Sequence, residues 1–235
     1  MPLTAGGFVP LRPDSPYPRW RWLDSPYAQN RHRGGISATP LYAKRRGGVL
    51  ALASVHGIAH YSGPNEDDYK KPDIFTGGLA ELVAELTPCS VVCNRKRVQS
   101  INPHAGETLI EQQLKSWHGQ GLKYMLDLHG AKTDCGFDVA IGTGQAPNPT
   151  QQMLIERIMD YAAQQGLDVA LNPQNYAAKG RVTLTRRMLD VGLDGVVQLE
   201  VCRTHRNPFA GDVKSLKLVT FLKDLCQEVN TLNPK

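Results

Sequence analysis

The amino-acid sequence predicts an α/β fold: three layers, α/β/α, around one mostly parallel, mixed sheet. Two observations predict it. Short, nearly continuous apolar runs recur along the chain, as expected of strands buried on both faces. Segments of helical periodicity alternate with those runs, and such alternation places helices on both sides of a single sheet. A length of 235 residues suits one large domain with a core of its own.

Residues 1–46 stand apart as a Pro/Arg-rich N-terminal arm, with little periodicity and the short repeat "PDSPYPR" and "LDSPYAQ". Such an arm tends to be extended. Tyr17, Trp20, Trp22 and Tyr27 are costly to leave in water, so the arm should pack on the domain surface, on a neighbouring subunit, or over the site as a lid. A homo-oligomer built through the arm is one of those arrangements.

Residues 47–235 carry the α/β pattern. "GVLALASVHG" reads as a buried parallel strand ending in His-Gly, and "TGGLAELVAEL" as a helix with Leu79, Leu82, Val83 and Leu86 on one side. "CSVVCN" is a second strand, and "GETLIEQQLKSWHGQG" a helix closed by glycine. "KYMLDLHG" and "FDVAIGTG" are the third and fourth strands. "NPTQQMLIERIMDYAAQQG" is a long helix with proline near its start and glycine at its end. "LDVALNP" and "GVVQLEVCR" complete the strands, and "DVKSLKLVTFLKDLCQEVNTL" is the closing helix.

Composition excludes several classes. No run approaches eighteen apolar residues, so no transmembrane helix is expected, and the first residues lack the plan of a signal peptide. A cytoplasmic protein is expected, with no membrane partner. Five scattered cysteines form neither a disulfide framework nor a CxxC zinc ribbon, and read as buried free thiols. The formal charge of +5 comes largely from Arg12, Arg19, Arg21, Arg31, Arg33, Arg45 and Arg46. That density reads as solvated surface rather than a nucleic-acid-binding arm.

In open α/β sheets, ligands bind beyond the carboxyl ends of the strands. The polar residues at those ends are His56, Asp127, His129 and Glu200. Two histidines with carboxylates suit a catalytic zinc, which takes three protein ligands and one open position. The third ligand should be a carboxylate, from Glu66, Asp67, Asp68 or Asp73. Asp73 differs in standing just before the helix that begins near Thr76, whose N-terminus can hold it. Glu200 lies mid-strand among apolar neighbours, where an unpartnered carboxylate is expensive. It reads either as half of a buried ion pair or as a general base.

The order His-Gly, Asp before a helix, "LDLHG", "FDVAIGTG" and "QLEV" resembles the N-formylglutamate amidohydrolase family over residues 48–230. That family is similar in fold to the zinc carboxypeptidases, so the resemblance implies a carboxypeptidase/phosphorylase-hydrolase-like architecture. It implies zinc as cofactor, held by His56, Asp73 and His129 with Glu66 as the alternative carboxylate. "PDIFTGGLAEL" is the matching stretch, with Asp73 six residues before Leu79. Glu200 matches the catalytic glutamate, and Asp127 would orient a ligand or the backbone around the site.

The family binds substrate carboxylates through arginine and carries an Asn-Arg pair after the second strand. Here Asn102 is followed by Pro103, which loosens the substrate assignment. Arg97, Asn102 and Arg181 are the candidate substrate-binding residues, with Arg95 and Lys179 close by. Arg181 and Arg203 are candidates for stabilising the oxyanion, and His104 and His205 for the rim. The expected activity is zinc-dependent hydrolysis of an amide C–N bond in a small, carboxylate-bearing molecule. Two rivals stand beside it: a carboxypeptidase-like or guanidino C–N hydrolase acting on a peptide or amino-acid derivative, and an inactive scaffold with a basic arm.

Overall fold

A computed structural model of the chain describes residues 15–32, 34, 39–61, 69–96, 107–179 and 183–232. Seven strands form the central sheet: β1 (Leu41–Lys44), β2 (Leu50–Ser54), β5 (Ser90–Asn94), β6 (Tyr124–Gly130), β7 (Val139–Gly142), β8 (Val169–Leu171) and β9 (Gly195–Val201). Their order is β1-β5-β2-β6-β9-β7-β8. The pairs β2–β5, β2–β6, β6–β9 and β7–β8 are parallel, while β1–β5 and β7–β9 are antiparallel. The expected mixed, mostly parallel sheet is therefore the one found. A separate hairpin joins β3 (His60–Tyr61) to β4 (Tyr69–Lys70).

Alternation along the strands divides the core into two layers. Leu52, Leu126, Leu128, Val197 and Leu199 face one way. They pack against α2 (Thr76–Leu86), α4 (Pro149–Gln164) and α6 (Val213–Thr231). Ala51, Ala53, Met125 and Val196 face the other way, against α3 (Leu109–His118) and α5 (Leu184–Val191). The helix starts are written locally. Thr108 and Glu111 form a capping box on α3, Asn148 and Gln151 form another on α4, and Asp212 caps α6.

Part of the arm departs from expectation. Tyr17–His32 is not extended but helical, α1, despite Pro26. Trp20, Leu23 and Tyr27 recur three and four residues apart and are all buried in the first core layer, and that burial outweighs the lost backbone bond. Trp22 is exposed, with the Arg19 guanidinium 4.1 Å above its ring. The close approach of α1 to α2 explains the weak helix start "TGG". A Cβ at Gly77 would overlap the Tyr27 ring, and one at Gly78 would overlap the backbone of Asp24.

Asp24 carries a testable consequence. It is buried, and its Oδ1 has no hydrogen-bond partner among the described residues. Burial pushes its carboxyl up to about 7, against the opposing bond from the Gly78 amide. A raised folded-state value means that its contribution is intact below the ordinary carboxylate range and is lost as pH rises through about 7. Asp24→Asn is therefore expected to stabilise the protein at pH 8 by on the order of 2 kcal/mol, and far less at pH 5. Urea unfolding at both pH values measures it, and equal effects at the two would contradict the assignment.

Candidate active site

The carboxyl ends of β2, β6 and β9 open on one cavity of about 460 Å³, lined by His56, Asp127, His129, Gln198 and Glu200 among others. Register explains why these side chains meet. β6 and β9 run parallel with Asp127 opposite Gln198 and His129 opposite Glu200. A period of two puts all four on the same face, where Met125 and Val196 continue the apolar layer beneath them. His56 follows β2, two residues beyond its end.

Asp73 reaches the same point from the loop before α2. Its backbone N–H donates to the carbonyl of His56 at 2.7 Å, which ties the two segments together. The α2 N-terminus holds it differently from the expected carboxylate cap. The Asp73 carbonyl accepts from the Thr76 N–H at 3.2 Å and the Thr76 hydroxyl at 2.7 Å, and the N-cap position is Phe75, at φ 73°. The carboxylate is thus left to face the histidines.

His56 Nδ1 and His129 Nδ1 lie 3.1 Å apart, and Asp73 Oδ2 stands 3.6 Å from the first and 3.3 Å from the second. The three ligand-type atoms fall within 4.8 Å of one another. Two imidazole nitrogens and a carboxylate converging in this way fit a divalent metal of the zinc type. The other nitrogen of His129, Nε2, is 3.1 Å from Asp127 Oδ1. Asp127 is itself buried and accepts from the Thr185 hydroxyl at 3.3 Å, so the ring is held with Nδ1 toward the cluster.

The electrostatics agree with the geometry. Burial opposes charge on His129, but Asp127 and Asp73 outweigh it and raise its basicity well above the ordinary histidine range. Burial also opposes charge on Asp73, yet its bonds to His129 and His56 hold the carboxyl well below the usual carboxylate range. Glu200 is 8% exposed and accepts from Gln198 Nε2 at 2.8 Å, an amide that fixes one carboxylate oxygen and leaves the group at the cavity wall.

Other expected residues fall elsewhere. β9 ends at Val201, so Arg203 sits exposed in the following turn, where strand alternation does not aim it at Glu200. Arg95 pairs with Glu81 and lies over the Tyr42 ring, on the α1–α2 side of the sheet. His205 is not at the cavity rim but buried, with Nε2 3.1 Å from Asp138. Arg97, Asn102, Arg181, His104 and Glu66 lie outside the described residues. Lys179 lines the cavity beside Gln174, Asn175 and Thr183. Gln198 is the residue that sequence reasoning passes over, although its position two before Glu200 on a strand signals a shared face.

No family model and no curated protein matches the chain. Solved structures do. The gene product Atu2144 from Agrobacterium tumefaciens is 14% identical and superposes with a TM-score of 0.54 over 82% of this chain and 94% of its own. N-formylglutamate amidohydrolase from Ralstonia eutropha JMP134 is also 14% identical, with a TM-score of 0.53 over 82% of this chain and 98% of its own. A bacteriophage poly-gamma-glutamate hydrolase is 16% identical, with a TM-score of 0.48 over 79% and 86%. At these identities the likeness is one of fold: this chain has the α/β architecture of the N-formylglutamate amidohydrolase structure.

Proposed function

We propose that the protein is a zinc-dependent hydrolase that cleaves an amide C–N bond in a small substrate bearing a carboxylate, as N-formylglutamate amidohydrolase-like enzymes do. The observation that supports this most is the convergence of His56, Asp73 and His129 beside a buried carboxylate, Glu200, on the neighbouring strand. His56 Nδ1, His129 Nδ1 and the Asp73 carboxylate would hold the ion. Bound zinc would supply Lewis acidity toward the carbonyl and make water acidic enough to react near neutral pH.

The remaining chemistry belongs to the chain. Glu200 accepts a proton from the attacking water as the C–O bond forms, then passes it to the departing nitrogen as the C–N bond breaks. Gln198 keeps the carboxylate oriented through both transfers. Asp127 keeps His129 in one tautomer and one orientation. Arg181 is the proposed group for the developing oxyanion, and Arg97, Asn102 and Arg181 for the substrate's carboxylate. Lys179, at the cavity wall, adds a cation suited to the same carboxylate.

The test is a panel of N-formyl and N-acyl derivatives of glutamate, aspartate and neutral amino acids, with free amine as the readout. Acidic substrates should show at least ~10-fold higher kcat/KM than their neutral counterparts, about 1.4 kcal/mol of discrimination. Zinc-loaded protein that hydrolyses none of these amides would overturn the proposal.

A further inference from the structure

Arg206 looks, in sequence, like a surface charge in the turn "RTHRNP". In the structure it is 4% exposed, and its side chain turns back beneath the sheet's carboxyl edge. Nε donates to the Val201 carbonyl at 3.1 Å, Nη2 to the Ala131 carbonyl at 2.9 Å, and Nη1 to the Ile74 carbonyl. These carbonyls belong to three separate segments: the end of β9, the exit from β6 and the loop before α2. Each stands beside a residue of the site. Val201 follows Glu200, Ala131 lies two beyond His129, and Ile74 follows Asp73.

The surroundings are shaped for this guanidinium. A Cβ at Gly130 would overlap it, so the glycine of "LDLHG" is the space in which it sits. A buried cation is costly unless charge and hydrogen bonds compensate it. Burial still lowers the basicity of this guanidinium, and Asp73 and Glu200, both members of the site, are carboxylates that offset part of that cost. Lysine could not replace it: one ammonium is a point charge, whereas the planar fork reaches three acceptors in fixed directions.

We infer that Arg206 is the positioning residue of this site, a three-way clamp that sets Asp73 and Glu200 relative to His129. It touches no reacting atom; it acts through the backbone on either side of those that would. The part of the inference that concerns metal rests on the zinc reading above, whereas the clamp itself does not.

The experiment compares wild type with Arg206→Lys and with Gly130→Ala, which keeps the arginine but fills its space. Two quantities are read in the full-length protein: amide hydrogen exchange by residue, and zinc affinity by competition with a chromophoric chelator. Exchange at the Asp73 and Thr76 amides should accelerate at least ~10-fold, with α6 and β5 unchanged, and zinc should bind at least ~10-fold more weakly, the usual scale for a residue that supports metal ligands from behind. Should Arg206→Lys fail to fold, Gly130→Ala carries both readouts. Unchanged exchange at 73–76, or acceleration spread evenly over the molecule, would overturn the clamp. A faster loop with unaltered zinc affinity would overturn its link to the site. If wild type itself bound no zinc, the zinc reading would fall, and the exchange contrast alone would decide whether Arg206 clamps the three segments.

Discussion

Glu200→Gln protein is expected to keep about one zinc per chain and to lose roughly 10²–10⁴-fold in kcat, the usual share of a general acid–base group. The substitution changes little but the ability to accept a proton. Glutamine has nearly the same shape, and its carbonyl can still accept from Gln198 Nε2, which donates to Glu200 at 2.8 Å. The apolar neighbours Leu199 and Val201 point to the opposite layer and should not notice the change. Unaltered unfolding with lost turnover would locate the effect in proton transfer. A variant that retained zinc and the full hydrolytic rate would remove Glu200 from the mechanism.

His129→Ala should take bound zinc from about one per chain to none, measured by elemental analysis on protein purified without a metal-affinity tag. The substitution removes one of three converging ligand atoms and leaves Asp73 and Asp127 without the ring that lies between them. The folded state then loses its metal linkage as well. A ligand at 1,000 times its Kd contributes about 4 kcal/mol, so a strong chelator should lower the wild-type midpoint and leave the variant unmoved. His205→Ala is the control. That histidine is also buried and also bonded to an aspartate, yet it stands outside the cluster and should leave zinc loading intact. Equal zinc in all three proteins would make His129 a structural residue.

The site is legible in the sequence where burial and polarity conflict. His56, His129 and Glu200 each terminate or interrupt an apolar run, and a polar group in that position calls for an explanation. Asp73 is legible for a weaker reason, its place just before a helix, and the structure gives that place a different mechanism from the expected one. The sheet is legible because its central strands are apolar on both faces. α1 is not, because its prolines mask the spacing of Trp20, Leu23 and Tyr27. The short α5 carries its signals, Thr183 before it and Gly192 after it, but its eight residues are too few to show a clear helical period and two adjacent arginines interrupt the apolar positions. Arg206 has no local signal at all. Its partners Ile74, Ala131 and Val201 are brought together only by the finished fold.

The strand order has a consequence for synthesis. β9 lies inside the sheet, between β6 and β7, but among the described strands it is the last to leave the ribosome. Until it is made, β6 has an unpaired inner edge and β7 lacks its neighbour, so the two halves of the sheet cannot join. Closure must await a long-range insertion rather than proceed hairpin by hairpin, which makes for slow folding and a nascent chain that depends on protection of its open edges. Glu200 rides on that strand. A partly synthesised chain could therefore gather His56, Asp73 and His129 while still lacking the group proposed to move the proton, and enzymatic competence would arrive with the closing of the sheet.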